Sequence, residues 1–443
     1  MSSASDAVMI APRVEGSGRP SARSRRPHLP PGWPIYALFL GFPLWWVAGV
    51  SAFMLPVMSI PMVAWLFRQH KVLAPRGFGI WIAFMMWMLG SVTRVEDFDK
   101  YIHFWYTASL YVGATIVMLY VFNISREALP TNRVITILTI FWMFVVIWGV
   151  LGVLFPNVEF TSPMEKVMPH RLAANEFVHD LIHPAFSQVQ DILGYDEPRP
   201  KAPFTYATNW GAAFGVLTPF VILAWKQARK RGWKLLIAAV FVAGIVPVVS
   251  SLDRGLWLSL GAGLTYAAVR LAIAGNSRAL RINMLLIFTV IAVVFLSPLK
   301  TLVSDRLAHP HSNERRLSLY QESTDRVLES PLLGFGTPQP SLVNPNAPPI
   351  GTQGQLWQVL VSHGIPGAIL FMWWFVFQFW RLRRTSPEVV LWSHTVILIA
   401  LIQTPFYDSL GIPLAVIMIA IAVASRESPR RTRSLVLSDA RGA

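Results

Sequence analysis

The 443-residue sequence contains no cysteine and is poor in charged residues. Without cysteine, the chain forms no disulfide, no thiolate metal site and no cysteine nucleophile. Charged residues make up 14% of the chain and hydrophobic residues 54%, whereas soluble domains carry roughly 25% charged residues. This composition excludes an ordinary soluble domain and indicates a helical protein of the membrane, with tryptophan and phenylalanine available for helix ends at the lipid interface.

Several nucleotide and metal signatures are also missing. The sequence has no P-loop and no Rossmann glycine fingerprint, so cytosolic nucleotide chemistry has no support. No acidic cluster is arranged to hold Mg²⁺. The net charge of +15 lies in short loops between apolar segments, which membrane topology explains better than a nucleic-acid partner does. We therefore expect no cofactor and no nucleic acid.

Apolar segments recur along most of the chain. About twelve of them approach the roughly 20 residues that a membrane-spanning helix needs: 34–50, 53–67, 79–92, 103–122, 134–155, 206–225, 235–250, 255–273, 284–299, 355–380, 389–404 and 411–424. Alternate loops are basic, and the bias of lysine and arginine predicts that both termini are cytoplasmic. The predicted fold is all-α, a multi-pass protein of the bacterial inner membrane without internal repeats.

This topology divides the chain into three parts. Residues 1–31 are rich in Ser, Pro and Arg without an apolar run, which predicts a disordered cytoplasmic tail and not a signal peptide. Residues 32–425 form the membrane domain, and 426–443 form a second cytoplasmic tail. Two long loops, at about 156–205 and 300–350, fall on the outer face, and loops of this length are usually functional.

The second long loop contains a pattern of helical spacing. We predict an amphipathic helix over 313–329, with Ser312 as its N-cap and Pro331 as its stop. Arg316 and Tyr320 lie four residues apart and therefore on one face. The expected apolar stripe consists of Leu317, Tyr320, Val327 and Leu328.

Arginines are concentrated near the predicted outer face. Arg254 follows Asp253 in a short turn between apolar segments, where charge is costly and is usually paired or functional. The alternative is an interfacial arginine that pairs with Asp253. In the second loop, Arg306, Arg315 and Arg316 offer planar guanidinium groups for phosphate oxygens. Here the alternative is ion pairing within the loop, which also contains Asp305, Glu314, Glu322, Asp325 and Glu329.

Further polar residues lie at the predicted helix ends. Arg199 and Lys201 precede the apolar segment at 206 and are candidates for phosphate binding or for interfacial anchoring. Asp408, between the last two apolar segments, is likewise open to a functional or an interfacial role. Gln353 opens a helix whose N-terminus favours an anionic group. Gly364-Ile-Pro-Gly interrupts that helix, which suits either a cavity or close helix packing.

The histidines leave more than one reading open. His363 lies in a predicted span, where it is either a functional group or a core residue whose hydrogen bonds are satisfied within the protein. His309 and His311 are candidate bases or ordinary loop residues. His179 and His183 are spaced i, i+4 in the first loop, where His170 also lies, but no glutamate accompanies them in the metalloprotease arrangement, so we predict no metal site.

Three ordered motifs resemble the O-antigen ligase and O-antigen polymerase superfamily. Asp253-Arg-Gly-Leu-Trp257 is similar to the Ser-Arg-Gly-x-Trp signature of that family. Arg316-Leu-Ser-Leu-Tyr320, followed by Pro331-Leu-Leu-Gly-Phe-Gly336, resembles its outer-loop motif. Gln353-Gly354, nine residues and Gly364-Ile-Pro-Gly367 resemble its His-Asn, nine residues, Gly-x-x-Gly motif.

The resemblance implies a metal-independent glycosyltransferase that uses a polyprenyl-pyrophosphate-linked glycan as donor and a glycan or lipid-linked acceptor. The matching motif positions imply that Arg254 and Arg316 stabilise the leaving pyrophosphate, as the corresponding arginines do in the family. Gln353 replaces the histidine of the ligases and is unable to act as general base, and Asp253 replaces a serine. This favours a polymerase or an exopolysaccharide or capsule transferase over a lipopolysaccharide ligase, with Asp305, His311, Glu314 and His363 as unranked candidate bases. The sequence also leaves open a transporter or flippase for lipid-linked glycan, and a non-catalytic scaffold of the cell envelope.

Overall fold

The computed structural model describes residues 30, 32–191, 196–296, 311–344, 348–384 and 387–428. At 190–191, 196, 290–291, 293–296 and 311–316 it describes the backbone alone. The predicted tails, 1–31 and 426–443, therefore lie largely outside the described residues. The described chain is mostly helical, in agreement with the all-α prediction.

The helices follow the apolar segments of the sequence. The first part of the chain contains α1 (Trp33–Leu40), α2 (Phe42–Val47), α3 (Met54–Phe67), α4 (Phe78–Gly90), α5 (Phe98–Asn123) and α6 (Thr131–Leu154). After the first long connection come α10 (Ala207–Gln227), α11 (Arg231–Ala243), α12 (Ile245–Ser250), α13 (Arg254–Ile273) and α14 (Ser277–Leu296). The second long connection contains α15 (His311–Glu329) and leads to α16 (Gln355–Leu382), α17 (Glu388–Gln403) and α18 (Ile412–Glu427).

Six candidate membrane spans stand out among the described helices by length and composition. They are α5, α6, α10, the α11–α12 pair, α13 and α16, which lie at Phe98–Asn123, Thr131–Leu154, Ala207–Gln227, Arg231–Ser250, Arg254–Ile273 and Gln355–Leu382. The remaining predicted segments also coincide with helices, several of which are shorter than a full span. The chain is thus a helical membrane protein.

The bundle is built around α18. This helix is buried from Ile412 to Arg426 and packs against α5 and α17, while α10 packs against α6. Arg426 is 2% exposed and donates hydrogen bonds to the carbonyls of Val121 and Leu129 at 3.3 and 3.2 Å. The helix continues to Glu427, so Arg426 belongs to its last turn, and the predicted domain boundary at 425/426 stays a prediction.

The first long connection has structure that the sequence did not predict. It contains the short helices α7 (Pro163–Val167), α8 (His170–Ala173) and α9 (Glu176–Ile182). An antiparallel hairpin follows, in which β1 (Ser187–Asp191) pairs with β2 (Asp196–Pro200) and Gln188 lies opposite Arg199. The hydroxyl of Ser187 donates to the carbonyl of Gly152 at 2.7 Å, which fastens the hairpin to the end of α6.

Helix α15 coincides with the helix predicted in the second connection, although it begins two residues earlier, at His311. Ser312 is therefore inside the helix. The predicted apolar stripe is wrong at Leu317 and Leu328, which are 56% and 68% exposed. The buried face instead runs through Leu319, Ser323 and Val327, because the hydroxyl of Ser323 is satisfied by the carbonyl of Leu319 at 2.6 Å.

Candidate functional site

The starts of three long helices meet at one turn, residues 404–410. The Leu256 backbone N–H, in the first turn of α13, donates to Tyr407 Oη at 2.6 Å. The Gln355 N–H, at the start of α16, donates to the Tyr407 carbonyl at 2.8 Å. The Asn209 amide, at the start of α10, donates to the Asp408 carbonyl at 3.2 Å. We call this end of the bundle the loop end, because both long connections also contact it.

The Asp253 carboxylate is neutralised by Arg199 in the interior of the loop end. The two side chains form an ion pair and are 2% and 3% exposed. Arg199 Nε also donates to the Ser251 carbonyl at 2.6 Å. Strand β2 of the first connection is thereby joined to the turn before α13, and Arg199 serves a structural contact there, while its predicted role in substrate binding stays a prediction.

Arg254 is the first residue of α13 and is half-buried. The turn before it is tightly fixed: Leu252 has a φ of 52°, which is unusual for a residue other than glycine. Trp257 Nε1 donates to the Val248 carbonyl at 2.9 Å and so anchors the turn to α12. A Cβ at Gly255 would lie 2.9 Å from Tyr407 Oη, so the capping tyrosine requires glycine at this position.

Helix α15 is seated on the start of α16. The ring of Tyr320 stacks on that of Trp357, with centroids 4.5 Å apart and 15° between the planes. Tyr320 Oη donates to the Pro405 carbonyl at 3.3 Å. Arg316 lies one turn earlier in the same helix, so the backbone brings this predicted pyrophosphate ligand to the loop end.

A glycine clasp, formed by residues 331–336 and 361–365, joins the second and third sequence motifs. The break at Gly364, where φ is 70°, leaves helix carbonyls unpaired. Phe335 and Gly336 donate their N–H groups to the carbonyls of Val361 and Ser362 at 3.0 and 2.8 Å, and the Ile365 N–H donates to the Pro331 carbonyl at 2.8 Å. The break therefore serves backbone docking, which favours the packing alternative over a cavity.

His363 is held inside this clasp and is 2% exposed. Its Nδ1 lies 2.7 Å from Ser91 Oγ, while the Ser91 hydroxyl donates to the Met88 carbonyl at 2.6 Å. Because the hydroxyl has one proton, Nδ1 carries the proton of the imidazole and donates to Ser91. Trp87 Nε1 donates to the carbonyls of Leu332 and His363 at 3.0 and 3.1 Å. These contacts favour the satisfied core histidine among the two readings.

Gln353 belongs to a surface turn. Its Nε2 donates to the Pro349 carbonyl at 2.9 Å, and its Oε1 accepts from the Gly351 N–H at 3.1 Å. The more deeply placed amide is Gln355, which is 0% exposed. Gln355 Nε2 donates to Tyr111 Oη at 2.7 Å, and Oε1 accepts from the Ser409 N–H at 3.1 Å.

Burial shifts the pKa of several titratable groups near the loop end, and two of them, Lys201 and Asp408, are candidate site residues. Burial lowers the pKa of the Lys201 ammonium, against the opposing charges of Asp180 and Glu159. Burial raises the pKa of the Asp408 carboxyl from its ordinary value, although Oδ1 accepts the Leu410 N–H at 2.8 Å. Asp408 thus combines a place on the shared turn with the pKa direction expected of a general base that operates near neutral pH.

The remaining predicted site residues are placed only in part. Arg306 and His309 lie outside the described residues. The backbone of α15 includes His311, Glu314 and Arg315, and their functional roles stay predictions.

Sequence reasoning missed the residues that hold the loop end together. Tyr407 and Gln355 contact residues more than 100 positions away in the chain, and neither lies in a recognisable spacing pattern. The one available signal for Tyr407 was a tyrosine beside Asp408 in an otherwise apolar turn.

A comparison with known protein families finds a match within the chain. Residues 239–372, somewhat under a third of the chain, match the family model described as O-antigen ligase. A comparison with curated proteins finds no significant match. The matched region contains α13, α15, the glycine clasp and the start of α16, the elements that carry the three motifs. Residues 239–372 are therefore similar to the O-antigen ligase family, which supports the resemblance seen in the three motifs.

Proposed function

We propose that this protein is an integral-membrane glycosyltransferase that transfers or polymerises a glycan from a polyprenyl-pyrophosphate-linked donor at the loop end of the bundle. The observation that carries the proposal is the junction at Tyr407, where α13 and α16 begin, next to the contact that Asp408 makes with α10. A helix N-terminus carries about half a positive charge. Three such ends in one place, together with Arg254, suit an anionic donor.

The charge balance supports pyrophosphate as the leaving group. The carboxylate next to Arg254 in sequence, Asp253, is neutralised by Arg199, so it does not repel a phosphate with its full charge. Helix α15 brings Arg316 to the same end through the contact of Tyr320 with Trp357. Guanidinium groups and helix ends then stabilise the charge that develops on the leaving group.

The reaction also needs a group that accepts the proton of the acceptor hydroxyl. The acceptor oxygen attacks the anomeric carbon, the bond from that carbon to the pyrophosphate breaks, and the electron pair leaves with the pyrophosphate. Asp408 is a suitable base, because its raised pKa makes its carboxylate more basic than that of an ordinary aspartate. Gln353 orients its turn and has no basic group. The site is oriented toward the outer face of the inner membrane, where lipid-linked glycans are used.

The test is glycan transfer by the purified chain in nanodiscs supplied with a lipid-linked oligosaccharide and an acceptor. Because a nanodisc separates no compartments, a flippase gives no signal in this assay. A covalent glycan product, or a ladder of longer chains, is expected. An intact donor after long incubation with several acceptors, under conditions in which the protein remains folded, would contradict the proposal.

A further inference from the structure

The first long connection brings together three side chains with metal-ligand chemistry, apart from the Tyr407 junction. His179 lies in α9 and His183 is the residue that caps the C-terminus of this helix, one turn later. Their rings are 4.7 Å apart at an angle of 17°. Glu165 projects from α7 toward both. Its Oε1 is 3.8 Å from His179 Nε2, and its Oε2 is 2.9 Å from His183 Nδ1. One ligand atom from each residue lies within 4.8 Å of the other two.

Local capping holds these side chains in place. The Ser162 hydroxyl accepts from the Glu165 N–H at 3.1 Å and donates to the Ile182 carbonyl at 2.6 Å. Ser162 is 0% exposed, so one buried serine ties the start of α7 to the end of α9. Asn175 caps α9 by accepting from the Val178 N–H at 3.2 Å. The cluster is therefore organised by the fold around it.

Two imidazoles and a carboxylate form a common ligand set of zinc. Ligand atoms at about 2.0–2.2 Å from a tetrahedral ion lie roughly 3.3–3.6 Å apart, and the two separations to Glu165, 2.9 and 3.8 Å, bracket this value. A second carboxylate, that of Glu159, lies 3.8 Å from His183 Nε2 and adds negative charge. The His179 side chain is 46% exposed, which gives an ion a path from solvent.

We propose that Glu165, His179 and His183 bind a zinc ion that stabilises the first long connection. A metal at this position cross-links α7 to α9, immediately before the hairpin whose second strand carries Arg199. Because these three residues lie apart from the Tyr407 junction, we expect the ion to take no part in glycan transfer. It revises the sequence-based prediction of no metal site, because the glutamate comes from a separate helix and is invisible to spacing rules.

The test uses the full chain in nanodiscs, with a purification tag free of histidine and after treatment with a chelator. Zn²⁺ binding is measured by calorimetry, and Co²⁺ substitution reports tetrahedral coordination through its visible absorption. We expect one Zn²⁺ per chain, with the affinity reduced at least tenfold by His179→Gln or Glu165→Gln. His170→Gln alters a histidine of the same connection outside the cluster and serves as the matched control, with unchanged affinity.

Thermal unfolding gives a second readout. Zn²⁺ should raise the Tm of the wild type and of His170→Gln, and leave that of His179→Gln unchanged. Because the His179 side chain is nearly half exposed, its substitution should leave the fold intact. Absence of saturable binding, or equal Zn²⁺ affinity in His179→Gln and His170→Gln, would overturn the proposal. Since no donor is present in either measurement, these outcomes are independent of glycosyltransferase activity.

Discussion

Replacing Tyr407 with phenylalanine tests whether the shared turn positions α13. The substitution removes one oxygen, which accepts the Leu256 N–H at 2.6 Å and is buried in a side chain that is 2% exposed. Leaving a buried N–H without a partner costs about 1–3 kcal/mol, and losing an N-terminal cap costs about 1 kcal/mol. If about 1.4 kcal/mol of this appears in the transition state, glycan transfer slows about tenfold.

Two measurements separate positioning from general stability. Hydrogen exchange should become faster in peptides that cover the start of α13, and kcat for transfer should fall. Tyr266→Phe is the matched control, because Tyr266 Oη accepts from Arg270 at 2.6 Å and lies 2.9 Å from His394 Nδ1, on the later part of α13. This variant should lose stability and retain kcat. Wild-type exchange at Leu256 together with wild-type kcat in Tyr407→Phe would refute the positioning role.

Three further predictions concern the ion pair, the clasp and the candidate base. Arg199→Ala leaves Asp253 buried without its arginine and should lower the free energy of unfolding, measured by denaturant titration, by about 3–5 kcal/mol. A double variant that also replaces Asp253 with serine should recover much of this loss. Additive losses in the double variant would contradict the pairing. Gly364→Ala places a Cβ 2.3 Å from a backbone carbonyl at a φ of 70° and should lower the Tm strongly, unlike Gly261→Ala, which meets no atom within 4 Å. Equal Tm values in these two variants would argue against the clasp. Asp408→Asn should lower kcat by about 10²–10⁴ and abolish an acidic limb of the pH–rate profile. Because the pKa is raised, wild-type activity is present above that pKa and is lost as pH falls through it; an unchanged profile in the variant would exclude this base.

The membrane class and the helices were predictable from the sequence because they depend on local composition. Apolar runs and basic loops are properties of consecutive residues, and so is the amphipathic spacing of α15. The stripe on that helix was predicted wrongly because hydrophobicity alone does not show that Ser323 buries its hydroxyl against the preceding turn.

The arrangement of the candidate site was less predictable because it depends on contacts between distant segments. From the sequence, Arg199 was a candidate for phosphate binding and Asp253 a partner for Arg254. In the structure, Arg199 and Asp253 form one ion pair across 54 positions. The glycines of the second and third motifs have separate family signatures, although their backbones form a single hydrogen-bonded clasp. Tyr407 has no signature, because its function depends on the two helices that begin beside it.

The central claim is that arginines at the loop end stabilise a leaving pyrophosphate. The most direct measurement is kcat/KM for transfer from a defined polyprenyl-pyrophosphate-linked oligosaccharide by Arg254→Ala and Arg316→Ala. Each variant should lose about 10²–10³ in rate, as expected when one group that stabilises developing charge is removed. Arg278→Ala, which alters an arginine in the first turn of α14, should retain wild-type values. Activity within a few-fold of wild type in both Arg254→Ala and Arg316→Ala would contradict the claim.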